Sequence, residues 1–298
     1  MNFSGNGQGN IQKILFATRF GEMALNSLET LFVLKEAGLR LIVLCHIIPR
    51  EDVGFVPFGG YLKKEEEELK EQARIKFEDW QRVIAKAGIE SKVAIEVGEP
   101  VPEVIRIARQ EGVDMIVTGR GDRTHDIIKR SWIPVLVHSY ISSFEAEGKE
   151  VIRENRFVFD KPLLAAGSPR ASEKVLSLLV SLAGAVVKAG VAHVIEKRAL
   201  SGPGIEKIKE EEMLRLGRYC DMLQEAGIAA EPRLLAGKPE EELIDAARDA
   251  GCSMMLAAAS EKEPRENAVM GSVARKLCET PEFPVLFVPP LSQPEDLD

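Results

Sequence analysis

One pattern is written twice in this chain, and that repetition limits the fold more than any other feature. From Gly98 the sequence runs GEPVPEVIRIARQEGVDMIVTGRGDRTHDIIKRSWIPVLV. From Gly237 it runs GKPEEELIDAARDAGCSMMLAAASEKEPRENAVMGSVARKLCETPEFPVLFV. Both copies open on Gly-x-Pro, continue as an amphipathic segment ending in Ala-Arg, pass a Gly into a short apolar stretch and close on Pro-Val-Leu. Two more triplets keep the same order: Ala87-Gly88-Ile89 returns as Ala226-Gly227-Ile228, and His46-Ile47-Ile48 as His193-Val194-Ile195. Three registers in order at the same element boundaries mean duplication, so the chain must fold as two copies of one unit. The first copy is shorter, and its missing residues lie between the fourth strand and the last helix.

Within each copy, short apolar runs alternate with segments of helical period. In the first half, strands are expected at Ile11–Thr18, Leu41–Ile48, Lys92–Val97, Met115–Thr118 and Pro134–His138. Helices are expected at Glu22–Ala37, Lys63–Ala87, Val101–Gln110 and Thr124–Arg130. The run LIVLCHII has the near-continuous apolarity of a central parallel strand covered on both faces. The second half repeats the cycle with strands at Leu163–Ala166, Val191–Ile195, Pro232–Ala236, Met254–Ala257 and Val285–Val288. Its helices fall at Ser172–Val187, Ile205–Ala226, Glu240–Asp249 and Gly271–Glu279. The order βαβαβαβαβ predicts an α/β fold of two doubly wound, five-stranded parallel-sheet domains. The divisions are a flexible leader at 1–10, a first domain at 11–142, a linker at 143–160, a second domain at 161–290 and a flexible tail at 291–298. The stretch Ile141–Asp160 carries no sustained period and is read as linker.

A net charge of −8 over 298 residues excludes a nucleic-acid backbone as the main partner, because phosphate neutralisation needs clustered Lys and Arg. No apolar run is long enough to span a bilayer. The start MNFSGNGQGN has neither the basic region nor the apolar core of a signal peptide, so a cytoplasmic location is expected. Cys45, Cys220, Cys252 and Cys278 share no CxxC spacing and are read as buried, reduced thiols. With four His and no pair at ligand spacing, no metal site is expected.

The element order, the Gly-x-Pro before the third helix, the strand ending in His-[Ile/Val] and the closing Gly-Ser-Val-Ala-Arg…Pro-Val-Leu-Phe-Val together resemble the universal stress protein (UspA) family. The resemblance covers both halves. It implies a Rossmann-like sheet of the adenine-nucleotide alpha-hydrolase type in each. It also implies self-association of the halves through their last strands, as an intrachain pseudo-dimer. Nucleotide-binding members hold ATP or AMP at the carboxyl ends of the strands, as doubly wound sheets do generally. Their recipe is an Asp at the end of the first strand and a Gly-x2-Gly-x9-Gly-[Ser/Thr] segment, whose glycines and helix start bring backbone N–H groups close to phosphate.

On this chain the recipe falls on altered residues. In the second half the Asp position reads Ala166, followed by Gly167. The glycine positions read Ala258 and Glu261, and Gly271-Ser272-Val273 keeps the helix start. In the first half the Asp position reads Arg19, after Thr18. Gly119 is kept, and Gly121-Asp122 aligns with the helix-opening pair after a shortened loop. Candidate cofactor-binding residues are therefore Thr18, Arg19, Ile47, Gly119, Arg120 and Gly121, and Ala166, Gly167, Val194, Ala258, Gly271, Ser272 and Val273. Arg19, Arg120 and Arg123 offer a second way to attract an anion, by direct charge. Strand-end His46 and His193 are read as packing residues, with no catalytic residue expected. The loop Phe55–Tyr61 is read as a lid, a partner patch or a loop folded on its own sheet. The functional expectation is a regulatory binding module with ATP or AMP as ligand. The alternatives are a ligand-free interaction scaffold for an unidentified protein partner and a weak ATP-hydrolysing enzyme, and a homodimer of tandem chains is a further partner to test.

Overall fold

The computed structural model describes residues 11–53, 55–56, 60–61, 63–146, 148–196, 204–260 and 270–289. The leader, the tail from 290 on, Glu261 and residues 57–59 of the aromatic loop lie outside the described residues. Along the first half, β1 (Lys13–Ala17), β2 (Leu41–Pro49), β5 (Glu90–Gly98), β6 (Met115–Thr118) and β7 (Val135–Val137) form the sheet strands. Between them stand α1 (Ala24–Glu29), α2 (Lys63–Lys86), α3 (Pro100–Glu111) and α4 (Thr124–Arg130), with a small ladder of β3 (Phe55–Val56) and β4 (Gly60–Tyr61). The second half has β10 (Pro162–Ala165), β11 (Lys188–Glu196), β12 (Ala229–Gly237), β13 (Met254–Ala258) and β14 (Val285–Val288). Its helices are α5 (Pro169–Ser181), α6 (Ile205–Glu225), α7 (Pro239–Asp249) and α8 (Ser272–Glu279).

All ten principal strands join one sheet in the order β12-β11-β10-β13-β14-β7-β6-β1-β2-β5. Within this sheet every pairing inside a half is parallel. The seam is antiparallel, with Val285 opposite Val137, Leu286 opposite Leu136 and Phe287 opposite Val135. Alternation along each apolar strand decides which core a side chain enters. In β2, Ile42 and Leu44 belong to one face with Phe77 and Trp80 of α2. Val43, Cys45 and Ile47 belong to the other with Val104 and Ile107 of α3. The first of these faces runs across the seam, since Leu28, Leu31 and Leu34 share a cluster with Leu176, Leu179 and Leu182. The repeated Gly-x-Pro has a steric reason in both copies. A Cβ on Gly98 would stand 2.7 Å from Glu103 Cγ, and one on Gly237 would stand 2.2 Å from Glu242 Oε1.

Three expectations are corrected. The segment read as linker joins the two halves but has a regular structure of its own, a hairpin of β8 (Ile141–Ala146) and β9 (Lys149–Glu154). Its alternation was hidden because Ser142 and Arg153 take covered positions while Ile152 faces solvent. From β9, Arg153 donates to the Cys252 carbonyl at 2.5 Å and lies over the Phe283 ring at 4.5 Å, so the hairpin braces the second half. The helix expected over Glu22–Ala37 is α1 followed by a 3₁₀ helix at Thr30–Ala37, and Ser172–Val187 likewise divides into α5 and a 3₁₀ turn at Ala183–Ala185. These two 3₁₀ pieces meet across the seam, where the tighter winding brings backbone against backbone.

Candidate functional site

Both halves carry a cleft at the carboxyl ends of their strands. The first has a volume of about 640 Å³ and is lined by all six of its candidate residues, Thr18, Arg19, Ile47, Gly119, Arg120 and Gly121. The second, of about 700 Å³, is lined by all seven of its own, Ala166, Gly167, Val194, Ala258, Gly271, Ser272 and Val273. Both volumes suit a small organic ligand.

The strand ends are tied in the same way in each half. His46 Nδ1 donates to the Thr18 carbonyl at 2.8 Å, and His193 Nδ1 to the Ala166 carbonyl at 2.7 Å. Burial lowers the His46 pKa, which keeps that ring neutral. These matching bonds correct the alignment made from sequence. Thr18 N–H reaches the Cys45 carbonyl as Ala166 N–H reaches the Ala192 carbonyl, so Ala166 corresponds to Thr18, and Gly167 to Arg19. The connection from β10 to α5 is also shorter than that from β1 to α1.

The first cleft departs furthest from a phosphate cradle. Its β1–α1 turn holds Phe20 at φ 56° and Met23 at φ 58°, in the left-handed region that costs a side-chain-bearing residue energy. Phe20 is held there by His46, Phe77 and Trp80, with ring centroids 4.7, 4.8 and 5.4 Å away, and by Lys76 Nζ at 4.8 Å. The last helix, α4, opens at Thr124 with Arg123 as its N-cap residue. Gly121-Asp122 therefore lies in the turn before the helix and not at its opening, which corrects the alignment with Gly271-Ser272. Nor do the three arginines converge as an anion trap. Arg120 Nη1 donates to the Cys278 carbonyl at 2.6 Å and Nη2 to that of Phe283, both in the second half. Arg123 lies 3.6 Å from Glu51. Arg19 reaches over Gly121, where a Cβ would stand 3.0 Å from its Nη2.

Sequence reasoning missed His138 on the first cleft wall. Its Nε2 meets Thr30 Oγ1 at 2.9 Å, and that hydroxyl donates to the Ser27 carbonyl at 2.7 Å, so Nε2 carries the proton. Burial and the nearby Arg120 charge push its pKa down to about 4. No motif announces this residue, because its partner Thr30 opens the 3₁₀ helix of the same half, more than a hundred positions away.

In the second cleft α8 begins at Ser272, after Gly271 as N-cap, and that glycine has no side chain with which to cap the helix. Gly271 has open space where a Cβ would stand. Arg215 of α6, also missed, enters from the side. It donates to the Gly167 carbonyl at 2.9 Å and pairs with Glu212 at 2.5 Å, which itself lies 3.7 Å from His193 Nε2. A signal for it existed: Arg215 precedes Ala226-Gly227-Ile228 by the same interval as Lys76 precedes Ala87-Gly88-Ile89. Both cations reach the turn after the first strand of their half. Among the described residues no group of three or more His, Cys, Asp or Glu is placed to hold a metal ion. No helix among them is long and apolar enough to cross a membrane.

Comparison with known proteins decides the family. The model of the universal stress protein family matches residues 10–138 and again 159–289. The chain belongs to the universal stress protein family. A universal stress protein of Methanocaldococcus jannaschii is 30% identical over 151 residues, covering 42% of this chain and 93% of that protein. Among solved structures, a universal stress protein from Archaeoglobus fulgidus aligns with a TM-score of 0.70 at 17% identity, over 94% of this chain and 98% of that one. A functionally unknown protein from Pseudomonas aeruginosa PAO1 aligns at 0.59 and 15%, over 94% of this chain and 93% of its own. These two likenesses span both halves of the tandem and show its fold.

Proposed function

We propose that this tandem universal stress protein is a regulatory binding module, and that its second-half cleft takes an adenine nucleotide, ATP or AMP. The observation that carries this reading is the opening of α8. Gly271-Ser272-Val273 places the first turn of that helix on the wall of a cleft of about 700 Å³, at the helix's positive end, with a glycine rather than a capping side chain at the N-cap. Gly167, the counterpart of Arg19, offers no side-chain acceptor to a ribose, but Glu212 lines the same cleft and supplies a carboxylate within it. The first-half cleft is read as a different site. Its loop is shortened, its last helix opens beyond Gly121, and its Arg120 is engaged with the other half. The antiparallel seam of β7 and β14 supports reading the chain as its own dimer, with each half as the other's partner.

Titration calorimetry with ATP and AMP tests the assignment. Micromolar binding is expected for the wild type and for Arg19→Ala. It is expected to vanish in Gly271→Asp, which places a carboxylate where the amides face the phosphate. Absence of heat with both nucleotides, or unchanged binding in Gly271→Asp, refutes it. Binding without turnover is expected, so labelled ATP incubated with the protein should be recovered intact.

A further inference from the structure

Arg120 stands on the wall of the first cleft, beside Gly119 and Gly121, but its guanidinium crosses the seam. Its two hydrogen bonds end on the carbonyls of Cys278, in the last turn of α8, and Phe283, in the turn that feeds β14. Burial pulls its pKa down to about 10, and among the described residues no carboxylate pairs with it. What offsets that burial is a pair of peptide carbonyls, one at the negative end of the helix and one in the turn after it. The side chain is thus a cap on α8 supplied from the opposite half.

The other end of α8 is the amide-bearing wall of the second cleft, where Gly271, Ser272, Val273 and Ala274 line the cavity. The helix is about 12 Å long and too short to be stable alone, so its amino end stands where its tertiary contacts put it. Those contacts are the buried side chains of Ala274, Leu277 and Cys278 and the Arg120 cap. We propose that Arg120 is a positioning residue for the second cleft. From the first cleft it holds the carboxyl end of α8, and so sets the amides presented at Gly271–Val273. The ligand in this inference rests on the nucleotide reading given above, whereas the mechanical link does not.

Hydrogen exchange of the ligand-free protein and titration with AMP test it on the wild type, Arg120→Met, Arg120→Lys and Arg153→Met. In Arg120→Met, exchange at the α8 amides is expected to quicken about tenfold while the other helices keep their rates. AMP affinity is expected to fall roughly tenfold. Arg120→Lys should recover part of both, because it keeps a cation at the helix end. Arg153→Met releases the neighbouring Phe283 ring without touching α8, and should lower the melting temperature with neither effect. Wild-type exchange in α8 of Arg120→Met overturns the proposal. So does equal loosening in Arg153→Met, which would mean a general loss of stability. If Arg120→Met fails to fold, Arg120→Lys against the wild type carries the same comparison. Absence of AMP binding to the wild type refutes the nucleotide reading alone, and the exchange data still decide the role of Arg120.

Discussion

Gly184 lies directly against the backbone of Glu36 across the seam, so that a methyl group on its Cα would stand 2.0 Å from the Glu36 carbonyl oxygen. Neither backbone can yield cheaply, because both 3₁₀ segments adjoin the shared core of Leu34 and Leu182. Gly184→Ala is expected to cost about 1–3 kcal/mol in urea unfolding. Gly217→Ala, in the interior of α6 with open space around it, is expected to stabilise by about 0.5–1 kcal/mol. Equal effects of the two substitutions would show that the halves are not in contact at Gly184.

Glu282 is buried, and both of its carboxylate oxygens receive Arg248, at 3.1 Å from Nε and 2.8 Å from Nη2. Arg248→Met leaves that carboxylate without its partner. Because the arginine is half-exposed and water can follow it in, a loss of about 2–3 kcal/mol is expected, below the full cost of breaking a buried pair. Replacing Glu282 by Leu as well should recover most of it, as chemical denaturation of the double variant would show.

His138 makes stability depend on pH. Its ordinary pKa of 6.5 falls to about 4 in the fold, so between those values the unfolded chain takes up a proton that the folded chain refuses. The contribution is complete above pH 6.5 and is lost as pH falls towards 4. Between pH 7 and pH 5 the wild type should lose on the order of 2 kcal/mol more than His138→Gln. Parallel stability curves for the two proteins would contradict the assignment. The shift at His46 acts in the same direction and stays constant in the comparison.

All four cysteines are free and buried. Burial raises the thiol pKa of Cys45 to about 12 and that of Cys220 to about 11, and also raises those of Cys252 and Cys278. Since the thiolate is the reactive form, a disulfide reagent should label none of them within minutes in the native state and all of them in denaturant. Rapid labelling of one thiol in the folded protein would expose an error in its burial.

Much of the architecture was readable because each signal was local and periodic. Of the apolar positions Leu69, Ala73, Phe77, Trp80 and Ile84 that recur at helical spacing on α2, the last four are buried, and LIVLCHII feeds both cores as its unbroken apolarity implies. Other features misled. The hairpin at Ile141–Glu154 concealed its alternation because polar Ser142 is covered and Ile152 is exposed, and the strand-end hydrogen bonds place Ala166 one register from the residue it was matched with.

By itself the sequence determined two copies of a doubly wound unit and the positions of their strand ends, because hydrophobic period, helix starts and Gly-x-Pro corners act over a few residues. Tertiary structure alone decided what Arg120 and His138 do. Arg120 finds its carbonyl 158 residues away, and His138 its hydroxyl 108 residues away, across a seam and a core that no local pattern encodes. A guanidinium read as bait for an anion became a helix cap, because once buried it needs acceptors, and the nearest carbonyls belong to the other half.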